Sequence, residues 1–253
     1  MSKNSKTSSK IFATLVLLLS FAFCILCADL CSSIITVGSF SISGNGIKIS
    51  SFDIYAISLS ASASKVQAEE SATTFKAQGS AGYVWNIDNT FNVLASAYLN
   101  ESDAKKVSEK LTANNVNNTV IKISFDEIAI SGEFSSQERN ILISSLNSFK
   151  TTYEKLYDAS VSLDTQISND IQTKIAIGNI KSEIVKIKSD FDSVFTAKIT
   201  NALLQLKLKL GEIINILDKL SEKQNSLSAE IKYSYFDCLN LYTKLYDEIN
   251  KKD

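Results

Sequence analysis

The sequence contains no histidine and no proline, and Arg139 is its one arginine. Histidine is the commonest general base and metal ligand, so its absence argues against zinc sites and histidine-based catalysis. Without proline, the strongest breaker of long helices is missing. One arginine and a formal net charge of −1 leave no basic surface of the kind that binds nucleic acid. We therefore expect no enzymatic activity, no cofactor, no metal and no nucleic-acid partner.

Cysteine is scarce, with four in 253 residues. Cys24, Cys27 and Cys31 lie in or beside an apolar segment near the N-terminus. Cys238 stands among apolar residues in "YFDCLNLY", where it is most simply a small buried hydrophobe. This spacing predicts neither a disulfide framework nor a zinc site.

The N-terminus has the pattern of a membrane segment. Three lysines lie within residues 1–10, and residues 11–28 contain no charge. As a helix the second stretch would span about 27 Å, close to the hydrocarbon core of a bilayer. The lysines predict a cytoplasmic tail, with everything after residue 28 outside the cell membrane of a single-pass protein. A cleaved signal peptide is the alternative, but no good small-x-small cleavage site follows, which favours an uncleaved anchor.

Residues 51–126 predict a compact α+β unit, which follows a serine- and glycine-rich spacer at residues 29–50. "FDIYAISLSAS", "YVWNI", "FNVLASAYL" and "NTVIKISF" have the β-branched and aromatic composition of strands. Asp88-Asn89 is a hairpin turn signal, and spaced aliphatic residues predict a helix after the first and third strands. The order βαββαβ is the split-βαβ (ferredoxin-like) arrangement. We expect an antiparallel sheet with both helices on one face and the other face open to a ligand.

Residues 127–253 have a different pattern. Four series of aliphatic and aromatic residues follow alternating steps of four and three, beginning at Leu142, Ile177, Leu203 and Leu227. The first series runs to Ile167, and the turn-like "SEKQNS" separates the third from the fourth. Such heptads predict a coiled-coil hairpin or a helical bundle, packed within one chain or between chains.

The βαββαβ unit resembles the sporulation-related repeat domain, a bacterial peptidoglycan-binding module. "FNVLASAYLNESDAKKV" is similar to the third strand and second helix of that family, with Val93, Tyr98, Asp103 and Ala104 in the expected places. "YAISLSAS" is similar to its first strand, although Ser58 stands where glutamine is usual and Ser60 where glycine is usual. The resemblance covers residues 51–126 and implies binding of glycan strands without chemistry.

The resemblance also implies where a glycan would bind. By position, the groove would be lined by Ser58, Ala61 and Phe91. Sugar recognition needs a flat aromatic ring together with hydroxyl or amide partners. Phe91 and Trp85 are candidates for the ring, and Ser58 and Ser60 for the hydroxyls.

These observations predict a membrane-anchored extracytoplasmic protein that tethers the membrane to peptidoglycan, at division or sporulation sites. The helical region would extend the molecule, form homo-oligomers or recruit a protein partner. The alternative is an interaction scaffold whose βαββαβ unit has lost glycan binding, which the serines at positions 58 and 60 favour. A wall hydrolase is the third hypothesis, although no opposed pair of acids of the kind that glycoside hydrolysis requires is apparent.

Overall fold

The computed structural model describes residues 40–41, 46–196, 199–223 and 226–250. The segment predicted to cross a membrane, residues 11–28, lies outside these ranges, as does most of the predicted spacer. None of the helices within the described ranges is both long and apolar enough to cross a membrane.

Seven strands and six helices make up the described chain. In order they are β1 (Phe40–Ser41), β2 (Gly46–Ile49), β3 (Phe52–Ser62), α1 (Lys65–Ala77), β4 (Tyr83–Ile87), β5 (Thr90–Tyr98), α2 (Glu101–Ala113), β6 (Thr119–Phe125), β7 (Ile128–Ser131), α3 (Ser136–Asp164), α4 (Asp170–Val194), α5 (Asn201–Ser221) and α6 (Leu227–Asn250).

The larger sheet has four antiparallel strands in the order β4-β5-β3-β6. Its hairpin turn is made by Asp88 and Asn89, whose φ angles of 48° and 62° match the type I′ turn that suits the twist of paired strands. Ser64 begins α1 by accepting a hydrogen bond from the Gln67 backbone N–H. Helices α1 and α2 lie on one face of this sheet, where Ala68, Ala72 and Ala104 allow close packing. The strands and helices of residues 51–126 thus occur in the predicted order.

A second, three-stranded antiparallel sheet was not predicted from the sequence. Its order is β1-β2-β7, and Gly46 at the start of β2 is opposite Ser131 at the end of β7. A Cβ atom on Gly46 would lie 2.9 Å from the Ile130 carbonyl oxygen, so this approach of two backbones requires glycine. The sheet joins residues of the predicted spacer to the beginning of the predicted helical region.

The last four helices form a bundle within one chain. Each packs against the next, and α6 returns to pack against α3. Capping boxes at Ser135 and Asn169 begin α3 and α4, satisfying backbone N–H groups that the helix leaves without partners. The heptad residues fill the bundle core, among them Leu142, Leu146, Phe149, Ile177, Leu206, Leu210, Ile213, Leu217 and Leu245. Ile167 is an exception: it follows the end of α3 and is 70% exposed.

The predicted fold class is wrong as an architecture. The described chain is an α+β fold of six helices and two small antiparallel sheets, and it contains no transmembrane helix. One continuous hydrophobic cluster runs from β2, β3, β4 and β5 into α3, α4, α5 and α6. The helical region therefore does not follow the sheet as a separate coiled coil but packs directly against it.

Candidate functional site

The sheet face expected to be open is covered by α6 and α3. The Tyr83 ring on β4 stacks on Phe236 of α6, with 5.3 Å between ring centroids. At the other end of the sheet, Phe52 and Phe125 meet the ring of Tyr242 at 5.3 and 5.8 Å. Because these rings exclude water from the centre of the face, a ligand cannot lie across it as the sequence predicts.

Polar contacts fix α6 on this face. The Ala97 backbone N–H donates to the Tyr235 hydroxyl at 3.0 Å, and the Tyr83 hydroxyl donates to Asp237 at 3.1 Å. The Tyr242 hydroxyl donates to the Asp126 carbonyl oxygen at 2.9 Å. Burial raises the pKa of the Tyr235 hydroxyl and that of the Asp237 carboxyl. Each contact supplies a partner to a group that would otherwise be buried without one.

Two lysine contacts join the α1–β4 region to the bundle. The Lys232 ammonium lies 2.7 Å from an oxygen of Asp164 and 3.2 Å from the Gly79 carbonyl oxygen. Lys76 of α1 forms a 3.0 Å ion pair with Glu230. The Lys232 side chain is only 6% exposed, and a charge so buried requires such partners. These contacts are structural, since each holds two elements of the fold together.

The five predicted glycan-binding residues do not form one groove. Trp85 packs on the bundle side, with its ring centroid 6.2 Å from that of Phe236. Phe91 packs on the opposite side, beside Ala68 and Ala72 of α1. The two aromatic rings proposed to bind a sugar therefore lie on opposite faces of the sheet.

The predicted serine and alanine positions are also divided. Ser58 is buried, and its hydroxyl donates to the Asn92 side chain at 3.3 Å. Ser60 is half-buried opposite Val93, and Ala61 is exposed opposite Asn92. A bulge in β3 between Ile57 and Ser60 changes the strand register here. A bulge is not visible in a strand's composition, so this change of register could not be predicted from the sequence.

The sequence interpretation missed an exposed apolar row at the α3–α4 end of the bundle. Ile167, Ile171 and Ile175 are 70%, 73% and 60% exposed, and they follow one another at intervals of four residues. A surface cavity of about 670 Å³ is lined by Leu163, Ile167 and Ile171 together with polar residues of the turn. The sequence contains a signal for this row. Ile171 and Ile175 are spaced as on one face of a helix, but neither belongs to the core series of α4.

A second groove, of about 380 Å³, lies beside it between α3 and α4. Its lining includes Asp158, whose pKa is raised by burial, and the ion pair of Lys155 with Glu183. Among the residues that the structure describes, no three cysteine or carboxylate groups lie together as a metal site. The groove adds hydroxyl and amide groups, from Ser162 and Asn179, to the apolar row.

No family model, curated protein or solved structure matches this chain.

Proposed function

We propose that this protein is an interaction scaffold that binds other proteins through the outer surface of its four-helix bundle. The observation that carries the proposal is that α6 and α3 cover the sheet face on which a glycan was expected, while large aliphatic side chains are exposed on the bundle. The exposed residues there are Ile167, Ile171, Ile175, Val185, Ile199, Leu204 and Leu208. Aligned exposed aliphatic residues are typical of protein-binding surfaces.

In this proposal the sheet is the base of the scaffold. The continuous core and the α6 hydrogen bonds hold the bundle in a fixed orientation on the sheet. A rigid base keeps an interaction surface ordered before binding, which lowers the entropic cost of association.

Site-specific photocrosslinking tests this proposal. A photoreactive phenylalanine analogue replaces Ile175 on α4 or Leu208 on α5 in the full chain, within cells that express it. Discrete adducts with another protein are expected at one or both positions. The control is Val66 on α1, which is 63% exposed but lies on the other side of the sheet. Adducts that form equally at all three positions, or at none, would contradict the proposal.

A second candidate function is glycan binding beside the β4–β5 hairpin turn, on the face of the sheet that α1 covers. Phe91 is half-buried there and is opposite Ser62 of β3 and Asn86 of β4. An aromatic ring beside a hydroxyl and an amide meets the chemical requirement for a sugar, and the resemblance to the sporulation-related repeat implies a peptidoglycan ligand.

Sedimentation with purified peptidoglycan sacculi separates the two functions. Glycan binding predicts that the full chain is retained more strongly on sacculi whose peptide stems have been removed, and that Phe91→Ala reduces retention. Phe75→Ala is the matched control, since Phe75 of α1 is also half-buried against the cluster of Ala68, Ala72 and Val93 but does not lie on β5. Equal behaviour of all three proteins on both preparations would leave the scaffold as the function.

A further inference from the structure

Helix α4 has a second heptad row on its outer face. Its core residues Ile177, Ile180, Ile184 and Phe191 are buried against the bundle. A separate row, Ile171, Ile175, Gly178, Ser182 and Val185, also follows alternating steps of four and three. At 3.6 residues per turn this row lies almost opposite the core residues. The core does not account for it, because Ile171, Ile175 and Val185 are 73%, 60% and 43% exposed.

The outer row has the shape that a second helix requires. It extends for about 21 Å at 1.5 Å per residue, long enough to contact three turns of another helix. Gly178 lies at its centre, and no atom lies within 4 Å of the position its Cβ would occupy. A partner backbone could therefore come close at this point, while the two isoleucines and the valine would enter its holes.

The positions on either side of the row are basic. Lys174, Lys181 and Lys188 line one side, and Gln172, Asn179 and Lys186 line the other. These six positions hold four lysines and no acid. Lys181 and Lys186 form exposed pairs with carboxylates of this chain, and exposed pairs are weak and exchange readily. Lys188 forms a half-buried pair with Asp192.

This charge pattern disfavours a second copy of the chain as the occupant. If two α4 rows packed in parallel, Lys181 would face Lys186 of the second copy. If they packed antiparallel, Lys174 would face Lys188 of the second copy. Like charges at such flanking positions destabilise pairing, whereas opposite charges select the partner.

We propose that the outer row of α4 binds an amphipathic helix of another protein, with aliphatic residues at its a and d positions and glutamate or aspartate at the flanking positions. This inference rests on the proposed scaffold function and names the partner's chemistry. The carboxylates of such a helix would face the four lysines, and its apolar residues would cover Ile171, Ile175 and Val185. Ile167 and the adjacent cavity would receive a side chain from the end of the partner helix.

Binding of two synthetic helical peptides to the full chain tests the inference. Both have about three heptads with leucine at a and d; one carries glutamate at the flanking positions and the other carries lysine. Fluorescence anisotropy should show saturable binding of the glutamate peptide that weakens with added salt. The lysine peptide should bind about tenfold more weakly or worse, because its charges repel the lysines of α4.

Two variants locate the binding surface. Ile175→Asp should weaken binding of the glutamate peptide by about tenfold or more. The change removes an aliphatic contact and places a carboxylate next to the carboxylates of the peptide. Val66→Asp places the same change at a similarly exposed apolar position on α1 and should leave binding unchanged. Both positions are exposed, so neither variant should unfold the protein.

Four results would overturn the inference. They are no saturable binding of the glutamate peptide, equal binding of both peptides, binding insensitive to Ile175→Asp, and a dimer of the chain in sedimentation that Ile175→Asp abolishes. Photocrosslinks to another protein at Ile175 or Leu208, combined with failure of the glutamate peptide, would leave the scaffold standing and reject only the acidic helix.

Discussion

The two faces of the four-stranded sheet are covered in different ways. On one face α1 and α2 approach closely over small residues such as Ala68, Ala72 and Ala104. On the other, α6 contributes Tyr235, Phe236 and Tyr242, with hydrogen bonds that join it to Ala97 of β5 and to Asp126 just after β6. The first face is closed by helices adjacent to the strands in the chain. The second is closed mainly by α6, a helix more than a hundred residues away in the chain, with polar groups that fix one orientation.

This difference teaches that the sheet and the bundle are one folding unit. If the sheet were packed only by α1 and α2, residues 51–126 could fold as an independent domain with one open face. The bundle side instead buries large aromatic rings that belong to both regions. Removing a contact there should therefore affect the whole molecule, whereas removing one on the α1 side should have a smaller effect.

Phe236→Ala should have the largest effect. Phe236 has no exposed surface and contacts both Tyr83 and Trp85, so the cavity should lower the free energy of unfolding by about 3–5 kcal/mol. Urea unfolding would be followed by far-UV circular dichroism and by the fluorescence of Trp85, the single tryptophan, which lies at the sheet–bundle contact. The two probes should give one coincident transition.

Phe75→Ala is the comparison on the α1 side. Because the ring of Phe75 is only half-buried, this variant should lower the free energy of unfolding by less than Phe236→Ala does. Separate transitions for the two probes, or a larger loss at Phe75 than at Phe236, would show that the sheet and the bundle fold independently.

Gly82→Ala should have the largest effect on the α1 side. Gly82 has a φ of +58°, and an added Cβ would lie 2.4 Å from the Ala72 carbonyl oxygen. The left-handed conformation costs an alanine about 1–2 kcal/mol and the clash about 1–3 more, so urea unfolding should show a loss of about 2–5 kcal/mol. Gly79→Ala is the control, since its φ of +92° is also positive but nothing lies within 4 Å of the added Cβ. Equal losses in the two variants would mean that close packing of α1 is not what requires glycine.

The sequence predicted the local features of the α1 side well. Asp88-Asn89 marks the hairpin, and the β-branched runs end within a residue or two of the observed strands. These features depend on neighbours a few residues apart, for which turn chemistry and periodicity are informative. The β2–β7 pairing was missed because both strands have only four residues, and they pair across some eighty residues of chain.

The covered face was missed for a different reason. A heptad pattern shows that one side of a helix is buried but not what buries it. Helix α6 carried a further signal, because Tyr235, Phe236, Leu239 and Tyr242 add apolar residues outside its heptad row. A helix that is apolar on most sides must be covered on most sides. That composition predicts a second contact for α6, although it does not name the sheet as the partner.

Tyr235→Phe tests the polar contacts of the bundle side alone. The substitution keeps the ring but leaves the buried Ala97 N–H without the acceptor that now lies at 3.0 Å. A buried donor without a partner costs about 1–3 kcal/mol, to be measured by urea unfolding. Tyr153→Phe is a matched control, because its ring is also fully buried, 5.3 Å from that of Tyr235, and its hydroxyl has no hydrogen-bond partner among the described residues. That change should be neutral or stabilising, and equal losses at both positions would mean that the Ala97 contact does not orient α6.

The pH dependence of Asp237 should give the smallest effect. Burial raises the pKa of its carboxyl above the ordinary 3.8, although the hydrogen bond from Tyr83 lowers it. The folded state therefore holds this proton more tightly than the unfolded chain, so the contribution to stability is present below pH 3.8 and is lost as pH rises through the folded pKa. Asp237→Asn cannot titrate, but its amide oxygen can still accept the Tyr83 hydroxyl. Urea unfolding of both proteins across the acidic range should show the wild type losing stability relative to Asp237→Asn as pH rises. If the wild type instead gains stability relative to Asp237→Asn as pH rises, the hydrogen bond from Tyr83 outweighs burial in setting the pKa of Asp237.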